Sequence, residues 1–200
     1  MNNYKHVDDS SLVRIVAGHP NLFRGQQPQV FSWVPRGWVA IVDTLCTSIE
    51  TALGDDIEAV TVVQIKEKFA GLRFYVSWSE ELPEPEGEPA PAHVVEHAGG
   101  IYISERSRHP LKRNVYDLIE RAEAESAKTC QWCGSTDGVE VVCGGKVKRP
   151  RNPSRNQIGP GLFHASCEVC RGDAMTPEQW RAKLDERRGP PKRKGGSHGE

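Results

Sequence analysis

The chain has 200 residues and a mass of 22.2 kDa, a length that suits one domain with a small additional module and excludes several large domains. Hydrophobic residues make up 37% of it, and no run approaches the roughly 20 apolar residues of a membrane-spanning helix, so we expect a packed core and no membrane partner. The net charge of −1 hides an asymmetry, because residues 1–129 hold 13 Lys and Arg against 19 Asp and Glu, whereas residues 130–200 hold 13 against 8. Such a split is typical of an acidic globular part joined to a basic part that meets a polyanion.

At the N-terminus, Asp8 and Asp9 stand where a signal peptide needs its apolar stretch, so export by that route is not indicated. We therefore expect a cytoplasmic protein. The first predicted element is an amphipathic helix over 37–53, which follows Pro35 and ends at Gly54. Its apolar stripe consists of Trp38, Ile41, Val42, Leu45, Ile49 and Leu53. Cys46 lies on the same stripe and is predicted to be a core residue.

A β-hairpin follows this helix. Residues 60–65 and 72–78 are rich in β-branched and aromatic side chains, with a charged turn and Gly71 between them. Since strand side chains alternate between two faces, the second strand has an apolar face made of Leu72, Phe74, Val76 and Trp78. We expect this face to be buried. The other face of the hairpin, with Lys66, Lys68 and Arg73, is predicted to be solvated.

Two further helices are predicted after an insertion. Residues 79–92 read SEELPEPEGEPAPA, a composition that predicts a solvated, mobile loop. After a short apolar segment at 101–103, Pro110 suits the first position of a helix, whose stripe consists of Leu111, Val115, Leu118, Ile119 and Ala122. Near the C-terminus, Thr176-Pro-Glu-Gln179 resembles a capping box and predicts a third, short helix that ends before Gly189.

Two C-x-x-C pairs are the strongest chemical signal in the chain. They are formed by Cys130 with Cys133 and by Cys167 with Cys170. Two residues between thiolates let a tight turn aim both sulfurs at one ion about 2.3 Å away, and two such turns complete a tetrahedron. A redox pair would be a single C-x-x-C beside a βαβ pattern, which is absent here. The spacing therefore predicts one structural Zn²⁺ with these four ligands.

The segment between the pairs leaves the ligand set open. It has 33 residues, against about 15–20 in the common pattern, so an insertion is implied. Cys143 and His164 lie within it, and either side chain is an alternative to one of the four thiolates. Their ordinary interpretations are a small buried thiol and a loop histidine.

Basic residues are concentrated in the same segment. No acidic residue occurs between Glu140 and Glu168, whereas five cations do: Lys146, Lys148, Arg149, Arg151 and Arg155. Asn152, Ser154, Asn156 and Gln157 are interleaved with them, and side chains of these types donate to phosphate oxygens. This pattern favours a contact with the nucleic-acid backbone, against the alternative of a solvated loop with incidental charge.

The catalytic motifs in the chain are weaker signals than the two C-x-x-C pairs. His93-Val-Val-Glu96-His97 matches H-x-x-E-H, in which two histidines one helical turn apart hold zinc and the Glu acts as base. Pro91 and Gly99-Gly100 confine the motif to about two helical turns, and no third ligand can be named. No phosphate-binding loop, G-x-S-x-G or G-x-G-x-x-G occurs. An HNH-type nuclease needs an Asp-His pair between the knuckles, but His164 follows Phe163.

The hairpin string and the first C-x-x-C resemble a family of uncharacterised phage and bacterial proteins. The residues that carry the resemblance are Gln64-Ile-Lys-Glu-Lys-Phe-Ala-Gly-Leu-Arg-Phe-Tyr75 and Glu125-Ser-Ala-Lys-Thr-Cys130-Gln-Trp-Cys133-Gly134. The family joins a KEKFGGLRFY hairpin to a helix and a zinc knuckle, and Ala70 stands where it usually has Gly. The resemblance covers roughly 36–78 and 111–170. It implies a small prokaryotic or phage accessory protein but no activity.

Together these observations predict an α+β protein with a short antiparallel sheet packed by two helices, a zinc-ribbon-like module and a C-terminal helix. The expected units are an α+β domain at 1–129 with the insertion at 79–92, the zinc module at 130–172, and a short helix with a basic tail at 173–200. The preferred function is a non-enzymatic, zinc-binding accessory protein that contacts nucleic acid. One alternative is a factor that binds a host or phage protein. Another is a zinc hydrolase that uses His93, Glu96 and His97. No small-molecule substrate is indicated.

Overall fold

The computed structural model describes residues 10–24, 34–80, 82, 85–87, 92–97, 100–105, 107–143 and 163–188. Within them the chain forms helices and three pairs of antiparallel strands. The helices are α1 (Ser10–Gly18), α2 (Pro20–Phe23), α3 (Val39–Leu53), α4 (Pro110–Ala127), α5 (Glu168–Arg171) and α6 (Pro177–Arg188). The strands are β1 (Val60–Lys68), β2 (Gly71–Trp78), β3 (Ala92–His97), β4 (Gly100–Glu105), β5 (Glu140–Cys143) and β6 (Phe163–Ser166). Among the described helices, none combines the length and the apolar character that a bilayer crossing requires.

The two helices predicted from periodicity are confirmed as α3 and α4, and the helix predicted from the capping box is confirmed as α6. A short 3₁₀ turn, Arg36–Trp38, leads into α3, and the stripe of α3 is buried. The capping box of α6 forms as predicted, because the Thr176 backbone N–H donates to Gln179 Oε1 at 3.0 Å while the Gln179 N–H donates to Thr176 Oγ1 at 3.3 Å. These reciprocal bonds satisfy two donors that the first helical turn leaves unpaired.

The hairpin β1–β2 is also confirmed. Its strands pair from Val60↔Trp78 to Lys68↔Gly71, with an irregularity between Val62 and Gln64. Leu72 and Phe74 are buried as expected. The two residues of the turn, Phe69 and Ala70, both have positive φ, at 53° and 63°. This is the geometry of a type I′ turn, which matches the twist of the strands and for which Asn-Gly is the favoured sequence.

Helix α4 covers the free edge of β2, and this contact corrects one expectation. The Leu72 N–H donates to Ser126 Oγ at 2.9 Å, and the Phe74 N–H donates to Glu123 Oε1 at 3.2 Å. Arg73 was expected on a solvated face, but it is buried, and its guanidinium lies 3.4 Å from Glu123 Oε2. Side chains of α4 therefore accept the N–H groups at the free edge of β2. Arg73 lies at the same edge because its partner, the Glu123 carboxylate, lies there.

The N-terminal helices α1 and α2 have no counterpart in the predicted elements. His19, between them, is buried and contacts two carboxylates of α3. Its Nδ1 lies 2.8 Å from Glu50 Oε2, and its Nε2 lies 3.3 Å from Asp43 Oδ1. Because Asp43 and Glu50 are seven residues apart on one helix, they face the same side. The imidazole therefore fixes α1 and α2 against α3.

One apolar core joins the two ends of the described chain. It contains side chains from α1, α2, α3, β1, β2 and α4, and also Ala165 of β6. Val139, Val141 and Phe163, from β5–β6 and the residue before it, pack against the same core. The C-terminal hairpin therefore shares its apolar contacts with the N-terminal elements.

Candidate metal centre

The four cysteines of the two C-x-x-C pairs come together in space. Cys130 and Cys133 lie in the turn after α4, Cys167 follows β6, and Cys170 lies in α5. Their sulfur atoms all lie within 4.8 Å of one another. Cys130, Cys167 and Cys170 are buried, while Cys133 is exposed. Four cysteines in this arrangement could hold a metal ion.

The spacing of the sulfurs fits a tetrahedral site. In a tetrahedron with metal–sulfur bonds of about 2.3 Å, neighbouring sulfurs are about 3.8 Å apart. The Cys133 and Cys167 Sγ atoms are 3.7 Å apart, which is much longer than the roughly 2.05 Å of a disulfide bond. All four side chains are free thiols, so the donor set is four sulfurs.

The turn that carries Cys130 and Cys133, which we call the first knuckle, is shaped by its own backbone hydrogen bonds. The Gly134 N–H donates to the Cys130 carbonyl at 2.9 Å, and the Cys130 N–H donates to the Ser135 carbonyl at 2.8 Å. Gly134 has a φ of +82°, a conformation that side chains rarely adopt. The glycine after the C-x-x-C therefore lets the chain reverse while both thiols point to one side.

Two elements distant in sequence hold this knuckle in place. The Gly37 N–H donates to the Gln131 carbonyl at 3.0 Å, and the Gln131 N–H donates to the Ala165 carbonyl at 3.1 Å. The Trp38 indole donates to the Thr129 carbonyl at 2.8 Å, across 91 residues of sequence. The knuckle is thus hydrogen-bonded to the start of α3 on one side and to β6 on the other.

The electrostatics of the cluster favour a cation. Burial opposes ionisation of Cys130, but backbone N–H groups of Cys167, Cys133 and Trp132 hydrogen-bond to its sulfur and bring its pKa below that of a free thiol. Burial, together with the neighbouring thiols, raises the pKa of Cys170. Several thiolates so close together repel one another unless a cation lies between them.

Neither Cys143 nor His164 belongs to the group of four. Cys143 ends β5, and its backbone pairs with Phe163 and with Met175. Burial raises the pKa of its thiol. His164 lies on β6 opposite Val142, and its ring packs 5.9 Å from the ring of Trp132. Cys143 is therefore a small buried thiol, as expected, whereas His164 is a buried residue of strand β6 and not the loop histidine that was expected. Cys46 is a buried residue of α3, as expected.

The H-x-x-E-H segment does not form the helix that this motif requires. His93, Glu96 and His97 lie on strand β3, which pairs with β4 in the register His93↔Ser104 to His97↔Gly100. Residues four apart on a strand are about 13 Å apart along it. In a helix the same residues are one turn apart. The backbone geometry on which the hydrolase hypothesis depends is therefore absent from this segment.

The basic segment lies outside the described residues, as do parts of the predicted insertion at 79–92 and the end of the basic tail. Nothing in the structure places Lys146, Lys148, Arg149, Arg151 or Arg155. The two ends of the segment are described, however. Cys143 and Phe163 are a paired position of β5–β6, so residues 144–162 begin and end at one point of the molecule. That hairpin leads directly into Cys167 and thus into the metal centre.

Comparisons with protein-family models, with curated proteins and with solved structures gave no match. The chemistry of the site therefore rests on its own residues.

Proposed function

We propose that this protein is a non-enzymatic, zinc-binding accessory protein that contacts the nucleic-acid backbone through the basic loop at 146–155. One observation carries the proposal: the segment with five cations and no acid starts and ends on the strand pair β5–β6, next to the four clustered thiols. In this interpretation the metal has a structural role and holds the base of the basic segment. Phosphate contacts then supply affinity that does not depend on base sequence.

Zinc is the proposed ion because of the donor set. Four thiolates with tetrahedral spacing suit Zn²⁺ or iron, and Zn²⁺ is the usual ion of closed structural sites with two C-x-x-C knuckles. Formation of such a site in small zinc modules is worth about 10–16 kcal/mol in apparent binding free energy. We therefore expect the fold around residues 130–171 to depend on it.

Metal analysis tests the site. Purified protein should contain one zinc and no iron, and Cys133→Ser should lose most of the zinc because three thiolates leave the tetrahedron open. Cys143→Ser is the matched control, since Cys143 is outside the group of four, and it should keep one zinc. A Cys133→Ser protein with a full equivalent of zinc would reassign the ligands, and a coloured, iron-loaded protein would contradict the choice of metal.

Salt-dependent binding tests the nucleic-acid contact. If all five cations meet duplex phosphates, the logarithm of the affinity should fall against the logarithm of the salt concentration with a slope of about −4.5. Replacing Lys148, Arg149 and Arg151 together by Ala should flatten this slope by about 2–3 units. The zinc content should stay at one. If the wild-type protein does not bind at about 50 mM salt, where such contacts are strong, the protein-interaction alternative replaces this proposal.

A further inference from the structure

The turn of the β1–β2 hairpin contains an aromatic residue, Phe69, whose backbone conformation is strained. Phe69 has a φ of 53°, and its side chain is 41% exposed. Asn or Gly at this position would satisfy the type I′ turn without strain, and a ring that stays so exposed gives little apolar burial in return. A strained backbone at an exposed position indicates that the residue has a role other than stabilising the fold.

Each exposed ring of this hairpin has a lysine ammonium over its face. The Lys68 ammonium lies 5.2 Å from the centre of the Phe69 ring, and the Lys66 ammonium lies 4.9 Å from the centre of the Tyr75 ring. Tyr75 is also 41% exposed. Both pairs have the distance of a cation–π contact. The hairpin thus carries two pairs, each made of an aromatic ring and a positive charge close to it.

The strand register puts Lys66, Lys68 and Tyr75 on one face, and Phe69 follows in the turn next to Lys68. Gln64 pairs with Tyr75, and Lys66 pairs with Arg73, so Lys66 and Tyr75 share the face that is opposite to Leu72 and Phe74. The only acidic residue of the hairpin, Glu67, alternates to the other face, and its carboxylate accepts the Ala70 N–H at 2.7 Å. We call Lys66, Lys68, Phe69 and Tyr75 the stacking face.

We propose that the stacking face binds single-stranded nucleic acid, with bases stacked on the two rings and phosphates bound by the two lysines. A nucleotide carries its phosphate beside its base, so a base that stacks on a ring displaces the flexible lysine from the ring face towards the phosphate of the same nucleotide. Tyr75 lies opposite Gln64, five residues before Phe69, so the two rings are about 17 Å apart along the strands at about 3.4 Å per residue. A single strand of a few nucleotides spans this distance. Stacking of this kind tolerates any base sequence.

The composition of this face favours nucleic acid over a protein partner. Lysine is depleted in protein–protein interfaces, whereas exposed aromatic rings combined with cations are the usual surface for single strands. The inference rests on the proposed function for its partner class, but it uses residues on a different element from the 144–162 segment. The two can therefore fail separately.

The test compares a labelled oligo-dT with a labelled duplex of the same length, by fluorescence anisotropy at about 50 mM salt. Phe69→Asn removes the ring and suits the positive φ, so it should keep or raise the melting temperature. It should weaken oligo-dT binding about fivefold or more and leave duplex binding within about twofold. Two controls keep the ring: Phe69→Trp should preserve oligo-dT binding, and Ala70→Gly, which relaxes the neighbouring positive φ, should do the same.

The lysines are tested by salt dependence. Lys66→Gln combined with Lys68→Gln should flatten the salt slope for oligo-dT by about 1.4, from about 0.7 per phosphate of a single strand. An unchanged slope would overturn the assignment of phosphates to these two lysines.

The outcomes separate the two proposals. If Phe69→Asn leaves oligo-dT binding unchanged while the triple Ala variant of the basic segment weakens it, the stacking face is overturned and the proposed function stands. If Phe69→Asn weakens oligo-dT and the triple variant changes neither ligand, the stacking face stands and the basic segment is overturned. Equal losses for oligo-dT and duplex in Phe69→Asn would contradict stacking, because a duplex does not offer open base faces. Absence of oligo-dT binding by the wild-type protein would also overturn the stacking face.

Discussion

At the scale of single residues, the knuckle depends on a glycine that lies almost a hundred positions before it. A Cβ atom on Gly37 would lie 2.1 Å from the Cys130 carbonyl oxygen and 2.7 Å from the Gly134 nitrogen. Both are backbone atoms of the turn that carries two of the four clustered cysteines. No rotation of a side chain can relieve such an overlap, so the start of α3 and the knuckle approach this closely only because residue 37 is glycine.

Gly37→Ala should therefore weaken both the fold and the metal site. We expect a loss of at least about 1–3 kcal/mol in the free energy of unfolding, the range for overpacked sites, together with a lower affinity for zinc. Urea unfolding and competition with a chromogenic chelator measure the two effects. Gly18→Ala is the matched control, because a Cβ there would have no neighbour within 4 Å. Wild-type values for Gly37→Ala would show that the knuckle does not dock at this position.

At the scale of elements, the contact between α4 and β2 combines an edge cap with a buried charge. Glu123 accepts the Phe74 N–H and faces Arg73, with which it forms a largely buried pair. Burial raises the pKa of Glu123 to about 7, although Arg73 and the Phe74 N–H act in the opposite direction. The helix thus protects the free strand edge from pairing with other chains at the expense of an ionisable group in a poorly solvated place.

This raised pKa predicts a pH-dependent stability. Because the folded pKa of Glu123 exceeds the value of about 4.5 in the unfolded chain, its contribution is fully present below about pH 4.5 and is lost as the pH rises through about 7. Glu123→Gln keeps an acceptor for the Phe74 N–H and cannot ionise. In the wild type, the free energy of unfolding should decrease by up to about 1.4 kcal/mol per pH unit within that window. In Glu123→Gln this decrease should be absent.

Urea unfolding at several pH values between 5 and 8 measures this slope. The relevant quantity is the difference between variant and wild type, because protonation of metal-binding thiolates affects both proteins equally. Glu125→Gln, on an exposed position of the same helix, should leave the slope unchanged. If the unfolding free energy of Glu123→Gln depends on pH as it does in the wild type, then Glu123 is ionised in the folded protein throughout this pH range.

At the scale of the whole molecule, the candidate metal centre is continuous with the N-terminal core. The knuckle is bonded to Gly37 and Trp38 on one side and to Ala165 on the other, and Ala165 belongs to the main core. Arg171 of α5 also donates to Glu140 of β5, which ties the second knuckle to the same hairpin. Loss of the ion should therefore be felt outside the knuckles.

Removal of the metal tests this continuity by hydrogen exchange. After chelation, the amides of Gly37 and Gln131 should exchange faster, because their acceptors are the Gln131 and Ala165 carbonyls. Amides within β1–β2 should stay protected, since their partners do not involve the knuckle. An autonomous zinc module would behave differently, with faster exchange after Cys130 and an unchanged Gly37 amide.

Much of the fold and the ligand set follow from local patterns. Local patterns were sufficient to predict the three helices α3, α4 and α6, because helix formation depends on residues three and four apart. These patterns are the periodicities of 39–53 and 110–127 and the capping box of α6. The two C-x-x-C pairs were sufficient to nominate the four clustered thiols for a related reason: the spacing within each pair sets the geometry of its turn. Strand β3 was missed, since a short segment with histidines and a glutamate has no strong period and its partner β4 provides the pairing.

Other features depend on contacts between distant parts of the chain, for which the sequence carries no local signal. Arg73 alternates to the side predicted to be solvated, yet it is buried because Glu123, 50 positions later, lies at the strand edge. His19 joins two carboxylates of α3, and Gly37 accommodates the knuckle, only once the helices are packed. Periodicity reports which face of an element is apolar, but the identity of the group that covers this face is a property of the packed chain, and the docking of the metal centre on α3 is such a property.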